Sequence, residues 1–232
     1  MHAIKVVLSL SIVFFTGSCL LADEEGQTFL DQATEAKLNA KNFQDLEEVV
    51  KLAEKAVEAG LDDGGKEFAI QLITSTLYQR AEQLSNPLLS GRPPQQWVEM
   101  RRLALSDLGR LTKYDAAFAD AHLLIAKLHA LPGGTRKAGI ESASKALELY
   151  EDPESKANAL VARAALRGDV NQKITDLSEA IKVDDDNSVA ITARAAVYSQ
   201  QGNFEKAAED FRRVVELDGD DVRYNLYGFP LV

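Results

Sequence analysis

The sequence has only one cysteine in 232 residues, Cys19, and it lies in an apolar N-terminal segment. The chain beyond that segment has no cysteine, which excludes an internal disulfide as a source of its stability. Packing of apolar side chains must therefore hold the fold together. A hydrophobic content of 46% supplies enough material for one extended core.

Basic residues are few relative to acidic ones. The chain has 26 Lys and Arg against 36 Asp and Glu, a formal net charge of −10, and no basic run is longer than two residues, as at Arg101-Arg102. An acidic chain without a basic patch is poorly suited to a nucleic acid or an anionic lipid surface. We therefore exclude both as partners.

Histidine is scarce as well, with three residues in the chain. His122 and His129 are seven residues apart, so on a helix they would lie on roughly one face and about 10 Å from each other. That distance is too large for the two rings to share one metal ion without further ligands. We expect both to be partly exposed helix residues.

Three polar segments resemble ligand loops only in part. Asp184-Asp185-Asp186-Asn187 and Asp218-Gly219-Asp220-Asp221 lack the alternating ligands and final glutamate of a calcium loop, so we interpret them as helix caps. Residues 132–137 have the glycines of a phosphate loop, but neither a preceding strand nor the Gly-Lys-Ser/Thr ending. We interpret them as a turn between helices, and we expect no cofactor, metal ion or catalytic residue.

The N-terminus has the features of a secretory signal peptide over residues 1–22. Lys5 is the short positive region, Val6 to Phe15 the apolar region, and cleavage after Ala22 is expected from the small residues there. The sequence therefore predicts an exported protein, periplasmic or secreted.

Two alternatives for this segment stay open. Thr16-Gly17-Ser18-Cys19 resembles a bacterial lipoprotein box in which Cys19 would carry lipid, although threonine replaces the usual leucine. The uncharged run from Val6 to Ala22 is also close to the minimum length of an uncleaved membrane anchor.

The segment from Ser188 to Asp221 has two amphipathic helices joined at Gly202, and it resembles a tetratricopeptide repeat (TPR). One position departs from that pattern, since Gly219 stands where the family usually has proline. The marker positions of the resemblance are Ala195, Tyr198, Gly202, Phe204, Ala207, Phe211, Val214 and Leu217.

Weaker copies of this pattern precede it, and residues 107–115 parallel residues 176–184 at a distance of two repeat periods. The resemblance implies an all-α fold, a right-handed superhelical solenoid of about five TPR-like helix pairs over residues 23–221. The predicted units are about 28–62, 65–117 with an insertion at 85–96, 118–153, 154–187 and 188–221, followed by a C-terminal tail at 222–232.

The second unit is irregular. Phe68 to Leu84 is predicted as one helix and Trp97 as the start of the next, because three prolines and a glycine between positions 85 and 94 disfavour a helix there. We expect Trp97 to pack between helices. The tail at 222–232 is apolar, so we expect it either to fold back on the last repeat or to precede a segment not contained in this chain.

Two arginine and aspartate combinations recur in the last two units. Arg163 with Asp176, and Arg194 with Asp210, occupy matching places on the two helices of one pair. They would either bind an acidic ligand in a groove or join the two helices as an ion pair, and we favour the ion pair because its partner belongs to the same repeat.

The resemblance implies that the first helix of each pair lines a concave groove that binds a peptide or protein. The lysines and asparagines of the family's carboxylate clamp are not recognisable. The positions that would face the groove are Asn158, Val161, Ala165, Val189, Thr192, Ala196, Ser199 and Gln200.

We therefore expect a non-catalytic interaction scaffold outside the cytoplasm, with a protein or peptide partner. Two alternatives remain at this point: the accessory TPR region of a longer exported enzyme with a redox or hydrolase domain, and an envelope assembly lipoprotein. The sequence does not indicate an oligomeric state.

Overall fold

The computed structural model describes residues 17–90 and 94–218 and contains ten helices and no strand in those ranges, so the predicted all-α fold is confirmed. The predictions for residues 1–16 and for the tail at 222–232 lie outside the described residues. The helices are α1 Gly17–Asn39, α2 Phe43–Ala59, α3 Asp63–Leu89, α4 Trp97–Tyr114, α5 Ala119–Ala130, α6 Arg136–Leu149, α7 Pro153–Leu166, α8 Val170–Val183, α9 Ser188–Gln200 and α10 Phe204–Asp218.

The chain forms two compact units, Met1–Arg80 and Ala81–Val232. In the first unit α1 packs against α2, and the approach is close at Gly26, where a Cβ atom would lie 1.7 Å from the carbonyl oxygen of Gly60. Gly60 ends α2 with a φ of 106°, a conformation that favours glycine.

The start of helix α2 has a local sequence signal. Asn42 accepts hydrogen bonds from the backbone N–H groups of Gln44 and Asp45, and Asp45 accepts one from that of Asn42. This reciprocal arrangement satisfies N–H groups that the first turn leaves without helical partners. The pKa of Asp45 is lowered, first by a hydrogen bond from the backbone N–H of Lys41 and also by the one from Asn42.

Two polar contacts lie between the helices of the first unit. The Lys37 ammonium group donates to the Thr76 hydroxyl at 3.0 Å and to Gln79 at 2.6 Å, and burial lowers the pKa of Lys37. Arg80 is 4% exposed and pairs with Glu47. Hydrogen bonds therefore join α3 to α1, and an ion pair joins α3 to α2.

Helix α3 is longer than predicted at both ends. Its start is stabilised because the Asp62 carboxylate accepts a hydrogen bond from the N–H of Gly65 at 2.6 Å. At its other end the helix continues through Pro87 to Leu89, so the predicted end at Leu84 and the predicted insertion from position 85 are wrong.

Packing explains why the helix passes Pro87. Ser85 and Leu88 are buried, and the Ser85 hydroxyl donates to the carbonyl oxygen of Ala81 at 2.6 Å. Burial of this turn offsets the backbone hydrogen bond that proline lacks. The connection to α4 shortens to residues 90–96, and Trp97 begins α4 as predicted.

The second unit contains three successive helix pairs, α5–α6, α7–α8 and α9–α10, in contact within each pair. The small residues Ala143 and Ala146 of α6 are buried, as are the TPR marker residues Ala195 and Ala207 of the last pair. Leu217, a marker position of the TPR resemblance, is not buried and is 37% exposed. At about 100° per residue it falls at the edge of the stripe formed by the buried residues of α10.

The turn between α5 and α6 is shorter than the predicted 132–137 because α6 begins at Arg136, and residues 184–187 lie between α8 and α9. Asn187 caps α9 by accepting the N–H of Ala190 at 2.9 Å, while Asp184 accepts a hydrogen bond from the Asn187 amide. The capping residue is thus the asparagine, and Asp184 orients it. Of the second acidic turn, residues 219–221 lie outside the described residues.

None of the helices in the described ranges combines the length and the apolarity that a bilayer span requires.

Candidate interaction surface

A buried ion pair fixes α7 on its partner helix. Arg163 donates two hydrogen bonds to Asp176 of α8, from Nε at 3.1 Å and from Nη2 at 2.7 Å. Arg167 adds a third to the same carboxylate at 3.1 Å, and Asp176 is 5% exposed. The remaining Arg163 nitrogen, Nη1, donates to the Ser144 hydroxyl of α6 at 3.3 Å.

The same arrangement recurs in the next pair. Arg194 of α9 donates to both carboxylate oxygens of Asp210 in α10, at 2.9 and 2.7 Å, and to the Ser178 hydroxyl of α8 at 3.2 Å. These hydrogen bonds to Asp210 are the main reason why the pKa of Arg194 is raised. The ion-pair interpretation is therefore confirmed for both combinations, and we call each three-residue set a clasp.

The clasps fix the first helix of a pair in place relative to two second helices. In addition, α7 contacts both α5 and α9, so the first helices of the three pairs follow one another in a row. We call the exposed side of this row the first-helix surface. It is the surface on which the sequence predicts partner binding.

The structure places the eight predicted binding residues on α7 and α9 with different exposure. Ala165, Val189 and Gln200 are exposed, and the exposed fraction of Val189 is 61%. Those that are half-buried are Asn158, Val161, Thr192, Ala196 and Ser199.

Two of the half-buried residues are less accessible than the prediction requires. Val161 packs against the core cluster that includes Leu160 and Ile191. The Thr192 hydroxyl is buried without a hydrogen-bond partner among the described residues. Their side chains therefore contribute to packing within the array as well as to its surface.

Helix α5 contributes residues to the row that the sequence analysis does not assign to it. The buried residues Ala121, Leu124 and Leu128 are spaced as Ala157, Leu160 and Ala164 are in α7. With that register, the α5 positions equivalent to Asn158, Val161 and Ala165 are His122, Ile125 and His129, all half-buried. The spacing of small and large apolar residues is the signal that would have shown this.

The first-helix surface has no permanently charged residue at these positions, although the chain has a net charge of −10. Its side chains are small, apolar or neutral and polar, apart from the two histidines of α5. In the ranges 17–90 and 94–218 no group of three His, Cys, Asp or Glu residues is placed to hold a metal ion.

Two cavities lie elsewhere in the second unit. A cavity of about 270 Å³ is lined by Leu88, Trp97, Leu131 and Pro132, so Trp97 packs at the start of α4. A polar cleft of about 500 Å³ lies on α9 and α10 and is lined by Arg194, Tyr198, Lys206, Glu209, Asp210, Arg212, Arg213 and Glu216.

The last helix pair, which has both a clasp and a turn glycine, also matches a known repeat family in its sequence. Residues 189–221 match the family model of the tetratricopeptide repeat. The match covers this segment of the chain, and with the repeated helix pairs it supports the resemblance to the TPR family. No curated protein matches the chain significantly.

Solved structures with TPR folds resemble the chain over most of its length. MamA is 14% identical, with 89% of this chain and 99% of MamA covered and a TM-score of 0.55. YrrB, a TPR protein with an unusual peptide-binding site, is 15% identical, with 88% and 92% covered and a TM-score of 0.56. At this identity the similarity shows the fold, a helical array of repeats.

Proposed function

We propose that the chain is a non-catalytic scaffold that binds a peptide or protein partner on the first-helix surface of its TPR array. The observation that carries this proposal is the row of α5, α7 and α9, in which the clasps at Asp176 and Asp210 hold α7 and α9 in place. Such a row presents side chains at regular spacing on rigid elements, which is what recognition of an extended or helical segment requires.

The residues proposed to contact the partner are Asn158, Val161, Ala165, Val189, Thr192, Ala196, Ser199 and Gln200. Because these positions are neutral and mostly small, close approach of a partner backbone is sterically feasible, and amide groups at Asn158 and Gln200 are available for hydrogen bonds. The peptide-binding site of YrrB, on a similar fold, supports a peptide as the class of ligand.

The test is a selection of binding peptides from a random displayed library on the full chain, followed by affinity measurements with variants. The variant of the surface is Ala165→Arg with Val189→Arg, since both positions are exposed and lie on neighbouring first helices. The control is Val170→Arg, an exposed valine on α8. We expect the surface variant to lose the selected peptides and the control to keep them.

Equal affinity of the selected peptides for the surface variant and the wild-type chain would place the site elsewhere and contradict the proposed surface. A library that yields no enriched peptide would contradict peptide binding itself. Unchanged helical circular dichroism in both variants ensures that loss of binding does not result from unfolding.

We further propose that the protein acts outside the cytoplasm, on the basis of the signal-like segment at 1–22. N-terminal sequencing of the protein recovered from its native host distinguishes the possibilities. A start at Asp23 is the expected result. A start at Cys19 with incorporated fatty acid, lost in Cys19→Ala, would indicate the lipoprotein alternative, and an intact N-terminus in the cytoplasmic fraction would contradict export.

A further inference from the structure

Two side chains hold the turn between α5 and α6 from outside the turn. Arg101 of α4 donates from Nη1 to the carbonyl oxygen of Pro132 at 2.5 Å and from Nη2 to that of Gly133 at 3.3 Å. The backbone N–H of Thr135 donates to Nδ1 of His129 at 3.2 Å. The Arg101 contacts therefore hold the beginning of the turn, and the His129 contact holds its end.

We propose that His129 is a pH-sensitive latch on the α5–α6 turn, closed when its imidazole is neutral and open when it is protonated. This regulatory element does not depend on the proposed binding function. It lies on the row of first helices, so it affects the surface on which that function is proposed.

The chemistry of the ring supports the latch. A neutral imidazole accepts a hydrogen bond at one nitrogen, whereas both nitrogens of the protonated ring are donors. Protonation of His129 therefore removes the acceptor for the Thr135 N–H and places two donors in opposition. Thr135 is also the N-cap residue of α6, and its own side chain makes no capping hydrogen bond. The contact with His129 therefore holds the backbone of the residue that precedes α6.

The charges around His129 act in the same direction. Burial and, second, the nearby positive charge of Arg101 lower the pKa of His129. On α6 the first turn has Arg136 and Lys137, and Lys137 lies near Glu141. On α7 the contact close to the His129 Cβ is the apolar Leu166, which meets it at Gly139.

The charged residues of α7 and of α5 itself do not stabilise a protonated His129 ring. The arginines of α7, Arg163 and Arg167, pair with Asp176. On its own helix His129 is two residues from the exposed Lys127. A new positive charge on the ring therefore faces the positive charge of Arg101, while Glu141, the carboxylate named on α6, lies near Lys137.

The turn has little space in which to adapt locally. A Cβ atom at Gly134 would lie 2.0 Å from the carbonyl oxygen of His129, and one at Gly139 would lie 2.9 Å from the His129 Cβ. Because the turn packs this closely on the His129 backbone, loss of the ring contact is expected to move the turn as a whole.

Trp97 provides a signal for such a movement. The guanidinium group of Arg101 lies 5.3 Å from the centre of the Trp97 ring, and Trp97 shares a cavity with Leu131 and Pro132 of the turn. It is the only tryptophan in the sequence. The intrinsic tryptophan fluorescence and its quenching by acrylamide therefore report on the surroundings of Trp97, which include the turn.

The experiment measures Trp97 fluorescence across a pH titration of the full chain, with NMR titration of the His129 ring and of the Thr135 amide. We expect all three to change with one midpoint, below the ordinary histidine pKa of 6.5. In His129→Asn, whose side-chain oxygen keeps an acceptor near the Nδ1 position but does not titrate, the fluorescence transition should disappear.

The matched control is His122→Asn, because His122 contacts the carbonyl oxygen of Ala116 and not the turn. This variant should keep the transition with an unchanged midpoint. A Thr135 amide that does not shift while His129 titrates would overturn the proposal, and this measurement needs no substitution. A fluorescence transition that persists in folded His129→Asn would overturn it as well.

Discussion

The α5–α6 pair and the two pairs after it share their apolar packing but differ in their polar contacts. Ala143 and Ala146 of α6 are buried with the same spacing as Leu177 and Ala180 of α8. By this register Ser142 stands where α8 has Asp176. In the first helices, exposed Lys127 stands at the position of Arg163. The α5–α6 pair therefore lacks the clasp residues at both positions.

The difference shows which contacts define the repeat and which are added to it. Buried alanines occur in every pair, and α5, α6 and α7 share a core cluster of Ala126, Ala143, Ala162 and Leu166. The polar contacts vary from pair to pair. In the later pairs the arginine and aspartate lie within the pair, while the α5–α6 turn relies on Arg101 and His129.

The largest expected effect comes from removing a clasp. Asp176→Ala leaves Arg163 and Arg167 without their carboxylate in a site where Asp176 is 5% exposed. Removing one partner of a buried pair costs about 3 kcal/mol or more. Urea unfolding followed by circular dichroism measures the loss.

Ser142→Ala, at the matching position of α6, should change the free energy of unfolding by less than about 0.5 kcal/mol. Equal losses in both variants would mean that the two kinds of pair do not differ energetically.

A smaller effect is expected at the close contact of the α5–α6 pair. Gly139→Ala would place a Cβ atom 2.7 Å from Leu166 and 2.9 Å from the His129 Cβ, so overpacking should cost about 1 to 3 kcal/mol. The thermal unfolding midpoint should fall accordingly. Gly109→Ala in α4 has nothing within 4 Å and should raise it, since alanine favours a helix by about 1 kcal/mol over glycine. A Gly139→Ala protein as stable as the wild-type chain would show that the pair is loosely packed.

On the first-helix surface, Thr192→Val should stabilise the last pair by about 1 kcal/mol, because it removes a buried hydroxyl that has no hydrogen-bond partner among the described residues. Ser199→Ala on the same helix is the control and should have little effect. The free energy of unfolding from urea titration measures both. Destabilisation by Thr192→Val would indicate that the hydroxyl is satisfied, for instance by an ordered water molecule.

The smallest expected effect is the pH dependence of stability from His129. Its pKa is lowered by burial and by Arg101, so between that lowered value and about 6.5 the unfolded chain binds more protons than the folded one. The stabilising contribution is therefore complete above about pH 6.5 and is lost as the pH falls through the folded-state pKa. Unfolding of the wild-type chain and of His129→Asn, each at neutral and mildly acidic pH, measures it. An equal loss of stability in both would contradict the assignment to His129.

The sequence predicts the later pairs well because their signals are local. Gly202, the buried Ala195 and Ala207, and the Arg194–Asp210 pair all lie within one repeat, and the structure agrees with each. The ends of α3 are missed for the opposite reason. Pro87 is a local signal against a helix, whereas the burial of Ser85 and Leu88, which offsets it, depends on the packed structure.

The binding surface is predicted less completely than the fold. The positions on α7 and α9 follow from the repeat register, but burial of the Thr192 hydroxyl and the packing of Val161 depend on neighbouring helices. The role of α5 is missed because its TPR markers are weak, and its register becomes apparent only from the buried positions Ala121, Leu124 and Leu128.

The serines of the clasps have a consequence for cooperativity. Ser144 and Ser178 belong to the pair before the one whose arginine they contact, so each clasp crosses the boundary between adjacent repeats. In a repeat array the coupling between neighbours decides whether repeats open singly or together. We expect α6 to α10 to exchange their amide hydrogens as one cooperative unit, with α5 exchanging earlier, because Lys127 stands in α5 at the position of the clasp arginine.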